Sequence, residues 1–167
     1  NEHAGPDTVS FAIPGGADVP VISPGSPLPP VTGPIELDGA SQPGAGRVML
    51  DGNGGAGAGL VLKGGHHSLT NLSIGRFASD GLAVADGIST VLKGLWIGLG
   101  ADGTTAAPDG GAGIRISNAS QTEIGGDLPA TALRIANNAG AGVEVQSGRR
   151  NTLGSETLVY DNGGPGV

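Results

Sequence analysis

Apolar residues in this chain occur in very short runs that alternate with polar or small residues and are separated by glycine, asparagine and serine. A glycine followed by an apolar–any–apolar triplet recurs at residues 59–62 (GLVL), 81–84 (GLAV), 113–116 (GIRI) and 142–145 (GVEV). Successive glycines are 22, 32 and 29 residues apart, and Gly166 follows Gly142 by 24. Alternation with period two predicts that each triplet is a short strand with its outer two residues facing inward.

The two long spacings each contain a polar insertion. One is GLGADGTTAAPDG at 98–110, and the other is GGDLPAT at 125–131. When these insertions are set aside, every spacing falls near 22 to 24 residues. A fixed period in this range is typical of repeat architectures in which each unit stacks on the next.

Each unit also contains two further predicted strands. The second is expected at a position eleven residues after the glycine, occupied by Thr70, Leu92, Ile124 and Leu153. The third carries the inward pairs Leu72/Ile74, Leu95/Ile97, Leu133/Ile135 and Leu158/Tyr160. Strands this short cannot bury a face alone, but rungs stacked ~4.8 Å apart pair with both neighbours. The pattern predicts an all-β fold: a right-handed single-stranded parallel β-helix with three short strands per rung and six to seven rungs. A β-sandwich and a calcium-dependent roll stay open as alternatives.

One domain is predicted to span residues 1–167. Residues 1–58 form irregular N-terminal rungs, with strands in VSFAI (9–13), PIELDG (34–39) and VMLDG (48–52), and residues 59–167 form the regular rungs. Prolines concentrate at 20–36, where ladder donors matter less. GGPGV at 163–167 opens another rung, so we expect the domain to be a segment of a longer protein. An open rung also presents unpaired strand edges, which favours self-association.

The composition excludes several function classes. Glycine accounts for 34 residues and aromatic residues for only 2%, so the core is built from Leu, Ile, Val and Ala. A net charge of -7 without clustered bases argues against nucleic-acid binding. The absence of cysteine excludes disulfides and thiolate metal sites. No apolar run reaches the ~18 residues of a membrane span.

Four stretches carry a resemblance to a known family: DTVSFAIPGG, IELDGASQPG, LWIGLGADGTTAAPDGGAGIRIS and TEIGGDLPATALRIANNAGAGVEV. They resemble the right-handed parallel β-helix repeat proteins of the pectin-lyase-like superfamily, closest to repeat regions of large bacterial secreted and surface proteins. The resemblance covers nearly the whole chain and implies an extracellular or cell-surface location in a bacterium. That superfamily includes lyases, hydrolases, epimerases, adhesins and stalks, so the resemblance specifies fold more narrowly than function.

A polar row precedes the later rungs: Asp109, Asn138 and Asn162 each lie four residues before a rung's glycine. We interpret it as a stacked corner whose side chains bond neighbouring turns, rather than as a row of ligands.

A β-helix hydrolase or lyase would need acids on adjacent rungs of one face. The candidate catalytic acids are Asp38, Asp51, Asp86 and Asp109, and the spacing does not bring them into one converging set.

Ligand-binding candidates lie around the first insertion: Trp96, Asp102, Thr104 and Asp109. Trp96 alternates with Leu95 and Ile97, so its ring is expected to point outward, stacking on a sugar or lying under the insertion. The preferred interpretation has no cofactor or metal. If calcium binds, Asp102 and Asp109 are its expected ligands, with Thr104 beside them.

Two functional hypotheses follow. The first is an extracellular structural or adhesive module that presents the loops 98–110 and 125–131 to a protein partner or a polysaccharide. The alternative is a carbohydrate-active enzyme of the lyase, hydrolase or epimerase kind.

Overall fold

A computed structural model describes residues 5–55 and 57–167 as a parallel β-solenoid of about five turns with almost no helix. The predicted all-β, parallel β-helix architecture is confirmed. Two single 3₁₀ turns, Gly39–Ser41 and Pro129–Thr131, are the helical elements of the described residues, and neither approaches the length needed to cross a bilayer. The sixteen strands are β1 Asp7–Ser10, β2 Val21–Ile22, β3 Ile35–Asp38, β4 Val48–Asp51, β5 Leu60–Lys63, β6 Ser68–Thr70, β7 Leu72–Gly75, β8 Leu82–Ala85, β9 Val91–Lys93, β10 Trp96–Ile97, β11 Ile114–Ser117, β12 Glu123–Ile124, β13 Arg134–Ala136, β14 Val143–Val145, β15 Thr152–Leu153 and β16 Leu158–Tyr160.

The strands form three parallel sheets, and the chain visits them in the same order on each turn. Sheet A contains β1, β3, β6, β9, β12 and β15; sheet B contains β2, β4, β7, β10, β13 and β16; sheet C contains β5, β8, β11 and β14. In sheet C, Leu60 pairs with Leu82, Leu82 with Ile114, and Ile114 with Val143. The recurring glycine–triplet units therefore stack directly on one another, as the repeat predicts.

Two predicted positions are wrong by one residue. In sheet A the partner of Leu92 is Leu69, not Thr70, because the corner after β5 is one residue shorter than the corners after β8 and β11. Gly64 and Gly65, both with positive φ, make that tighter corner. In β16 the inward residue is Val159, which pairs with Ile135, while Leu158 and Tyr160 are exposed. The run Leu-Val-Tyr is apolar throughout, so alternation alone did not decide which residue points inward.

The interior is a column of aliphatic side chains contributed by all three sheets. Ile114, Ile116 and Ile124 are buried, as predicted, whereas Arg115 and Glu123 on the same strands remain partly exposed. Among the described residues, Phe77 is the only aromatic residue that is a buried member of this cluster. Each such aliphatic burial contributes roughly 1.5–3 kcal/mol, which compensates for the shortness of the individual strands.

The first N-terminal turn is less complete than the later ones. Residues 28 apart pair in sheets A and B, as Asp7 does with Ile35 and Val21 with Met49. The first pass adds no strand to sheet C; Val31 makes only an isolated bridge to Leu62. Prolines surround Val31 and lack the N–H that a ladder needs. The coil consequently makes about five turns instead of the predicted six to seven.

Both predicted insertions leave the coil at strand ends. The insertion at 98–110 begins at Gly98, which has a φ of 76°. A Cβ at this position would also collide with the carbonyl oxygen of Ala136. The insertion then forms a small hairpin closed by the Leu99–Ala106 antiparallel bridge. The insertion at 125–131 contains the 3₁₀ turn Pro129–Thr131 and is tied to the coil where the N–H of Gly94 donates to the Thr131 carbonyl.

Candidate functional site

The candidate acids Asp38, Asp51 and Asp86 lie at strand ends of three different sheets. Asp38 ends β3 in sheet A and accepts a 2.8 Å hydrogen bond from Thr70 Oγ1. Asp51 ends β4 in sheet B, where it is buried and ion-paired with Arg76, which lowers the pKa of its carboxyl. Asp86 follows β8 in sheet C and accepts from Asn118 Nδ2. The fold does not bring these three carboxylates together.

Asp109 belongs to a corner ladder, the stack formed by Asp109, Asn138 and Asn162. The backbone N–H of Asp109 donates to Asn138 Oδ1 at 3.3 Å. The N–H and Nδ2 of Asn138 both donate to Asn162 Oδ1 at 3.0 Å. The structure agrees with the interpretation of this row as a turn-to-turn corner.

Asp109 is the exception within the ladder because it is an acid with no exposed surface. Its Oδ1 accepts from the Phe77 N–H at 2.9 Å, but its buried Oδ2 has no partner. One side-chain atom of each ladder residue lies against a glycine. The amide nitrogens of Asn138 and Asn162 lie against Gly113 and Gly142, and the Oδ2 of Asp109 lies in the same way against Gly81. The atom therefore occupies the position of the amide donor, and burial raises the pKa of Asp109 to about 7.

Asp102 is on the exposed tip of the first insertion, away from the buried Asp109 at the end of that insertion. Its Oδ1 accepts from the backbone N–H groups of Thr104 and Thr105, and its Oδ2 accepts from Thr105 Oγ1. Those bonds, the Thr105 hydroxyl first, hold the pKa of Asp102 below its usual range. Both oxygens stabilise the loop itself, and no group of three or more acids or histidines in the described chain is placed to hold a metal.

Trp96 lies half-buried on the outer face of sheet B, beneath the first insertion. Ser73, its neighbour on the preceding rung, donates from Oγ to the carbonyl oxygens of Leu99 and Gly100, which fastens the insertion over the sheet. Gly103 lies against the indole, where a Cβ would come within 2.7 Å of a ring atom. The loop covers the ring, one of the two arrangements that the alternation allowed.

A cleft of about 320 Å³ opens beside the Trp96 ring, and we call it the Trp96 cleft. The guanidinium carbon of Arg47 is 3.6 Å from the ring centroid, and that of Arg134, the partner of Trp96 on the next rung, is 5.7 Å away. The second insertion supplies one wall, and Glu156 stands on the following turn. Its lining comprises Arg47, Gly94, Trp96, Pro129, Ala130, Ala132, Arg134, Glu156 and Leu158.

The two arginines give the Trp96 cleft an unbalanced positive charge. Arg47 is only 8% exposed, and burial, then repulsion from Arg134, lowers its pKa to about 10. Arg47 Nη1 donates to the Leu72 carbonyl at 2.9 Å, whereas the Arg134 guanidinium has one hydrogen-bond partner among the described residues, the Gly103 carbonyl at 3.5 Å. Neither guanidinium forms an ion pair with a carboxylate of the described residues.

Sequence reasoning identified Trp96 but missed Arg47, Arg134 and Glu156. Arg134 could have been predicted from the sequence, because it lies between Leu133 and Ile135 in the same way that Trp96 lies between two apolar residues of its own strand. Arg47 gave no such signal. It precedes β4, two rungs away, and its long side chain reaches the ring across the rung that carries Ser73.

No protein-family model, curated protein or solved structure significantly matches this chain. What the structure defines is the class, a parallel β-solenoid.

Proposed function

We propose that this β-solenoid is an extracellular structural or adhesive module that binds a polysaccharide through the Trp96 cleft. The observation that carries the proposal is the meeting of both insertions at one place on sheet B. The first insertion fixes the Trp96 ring, and the second forms a wall beside it. A rigid scaffold with a concave, partly aromatic site formed by its loops is a common arrangement for ligand binding.

A non-catalytic role is favoured by the placement of the acids. General acid–base cleavage of a glycoside needs two carboxyl groups flanking the bond, about 5 to 10 Å apart. Glu156 is the one carboxylate that lines the Trp96 cleft within the described residues. Asp38 and Asp51 end strands of sheets A and B, and Asp86 follows a strand of sheet C. We propose kinship with the β-helix repeat regions of bacterial secreted and surface proteins on the same grounds of fold and loop placement.

A glycan array probed with the whole chain tests the proposal. We expect one class of glycan to bind, and a variant lacking residues 127–131 to lose at least tenfold in affinity while its far-ultraviolet circular dichroism is unchanged. Leu128→Ser on the same insertion is the matched control, because Leu128 is exposed and does not line the cleft. Binding that survives the deletion would move the site elsewhere, and an array without any bound glycan would refute the proposal.

The same glycans, incubated with the chain, are assayed for new reducing ends and for the absorbance of unsaturated products. Turnover of any of them would favour the enzymatic alternative over a binding module.

A further inference from the structure

We infer that the Trp96 cleft holds an oxyanion, and that the ligand is a saccharide bearing a carboxylate or sulfate group. The inference rests on the proposed function, since it names the chemical class of glycan that this cleft takes. Its starting point is the pair of guanidinium groups beside one indole, at 3.6 and 5.7 Å from the ring centroid.

Of the six other lysine and arginine residues, four have a carboxylate partner, and the remaining two, Arg149 and Arg150, are exposed. Arg76 pairs with Asp51, Arg115 with Asp80 and Glu144, Lys63 with Asp86, and Lys93 with Glu123. Acids outnumber bases in the chain by 15 to 8, so carboxylates are not scarce. Arg47 and Arg134 nevertheless share a cleft without a carboxylate within ion-pair distance among the described residues.

Arg47 makes the arrangement costly, because a buried cation without a carboxylate partner among the described residues is destabilising. The indole stabilises that charge only in part. An oxyanion in the cleft would supply the missing counter-charge, and guanidinium forks match the two oxygens of a carboxylate or sulfate. The cleft is therefore arranged for a ligand that brings negative charge with it.

Glu156 and the apolar wall narrow the class further. A carboxylate at the rim accepts hydrogen bonds from hydroxyl groups and repels a second anion close by. The apolar wall of Pro129, Ala130 and Ala132 suits the C–H face of a sugar. The combination fits one charged group on a hydroxylated ring better than a free inorganic ion.

Trp96 provides the readout, because it is the only tryptophan in the chain and contacts Arg47 directly. Three probes are titrated against its fluorescence: a glucuronate oligosaccharide, the methyl ester of the same oligosaccharide, and sodium sulfate. We expect the free acid to bind at least tenfold more tightly than its ester, with an affinity that falls as salt concentration rises. Sulfate alone is expected to compete with the acid only at much higher concentration.

Arg134→Met is the decisive variant, since Arg134 is exposed and its loss does not threaten folding. We expect at least a tenfold loss of affinity for the free acid and no change for the ester. Arg149→Met, at an exposed arginine outside the cleft, is the matched control.

Each contrary outcome separates the two proposals. Equal binding of acid and ester, sensitive to deletion of 127–131, overturns the oxyanion inference and leaves the glycan-binding module. Sulfate that binds as tightly as the oligosaccharide overturns the saccharide part of the inference. Failure of every probe, together with an empty glycan array, overturns both.

Discussion

The corner ladder and the Trp96 cleft lie on the same coil but treat polar groups in opposite ways. In the corner ladder, the Asn138 and Asn162 side chains are bonded to the adjacent turns. In the Trp96 cleft, two guanidinium groups lie beside one indole ring, and neither has an ion-paired carboxylate among the described residues. Apart from Asp109 Oδ2, the ladder side chains are satisfied by the coil, whereas the charges of the two cleft arginines are not, and this difference is why we propose a ligand at the Trp96 cleft.

The largest expected effect comes from breaking the ladder at its centre. Asn138→Ala removes the acceptor of the Asp109 N–H and the donor to Asn162, all within a buried corner. We expect the free energy of unfolding to fall by about 3 kcal/mol, measured by urea denaturation. Gln146→Ala is the control, since Gln146 is exposed and its side chain bonds only Glu144 Oε1 within the described residues. Equal stability of the two variants would show that the ladder is dispensable.

The ladder is also the part of the molecule that the sequence predicted well. Rung spacing aligned Asp109, Asn138 and Asn162 by their glycines, because a stacked repeat places equal offsets above one another. The Trp96 cleft was only half predictable. Its residues come from different rungs, and Arg47 reaches the ring across a rung through the length of its side chain, which periodicity does not encode.

The next effect tests the one misfit in the ladder. Native Asp109 has a pKa of about 7 against an ordinary 3.8, so between pH 4 and 7 the native state binds more protons than the unfolded chain. Stability therefore falls as pH rises through that window. Asp109→Asn supplies the amide donor permanently, and we expect a gain of about 2 kcal/mol at pH 8 that shrinks towards zero at pH 4.

Urea denaturation at the two pH values measures this difference, with Asp18→Asn as the control because Asp18 is exposed. A gain that is the same at pH 4 and pH 8 would show that Asp109 is ionised in the native corner throughout this range.

A smaller effect is expected at an arginine that has its carboxylates. Arg115 forms a bidentate pair with Asp80, at 2.7 and 2.8 Å, and a further 2.7 Å bond with Glu144 on the next rung. Arg115→Ala leaves the Asp80 carboxylate, whose side chain is 9% exposed, with the Ala112 N–H as its one partner in the described part of the chain. We expect a loss of about 1–2 kcal/mol, which thermal and urea unfolding would both detect. Arg149→Ala, at an exposed site, should cost far less; an equal cost would remove the contrast.

The smallest effect sharpens the comparison most. Arg47→Met keeps an unbranched chain against Trp96 but removes a buried charge that Arg134 repels. The lost bond to the Leu72 carbonyl and the lost cation–π contact oppose the relief of desolvation and repulsion. We therefore expect the free energy of unfolding to change by about 0.5 kcal/mol or less, although the residue is as buried as many core side chains.

The double variant Arg47→Met/Arg134→Met measures the repulsion directly. If the two charges destabilise each other, Arg47→Met is more favourable to stability when Arg134 is present than when Arg134 has already been replaced. If Arg47→Met instead lowers the free energy of unfolding as much as Arg115→Ala does, the guanidinium of Arg47 stabilises the coil, and a role in binding an anionic ligand is not needed to explain it.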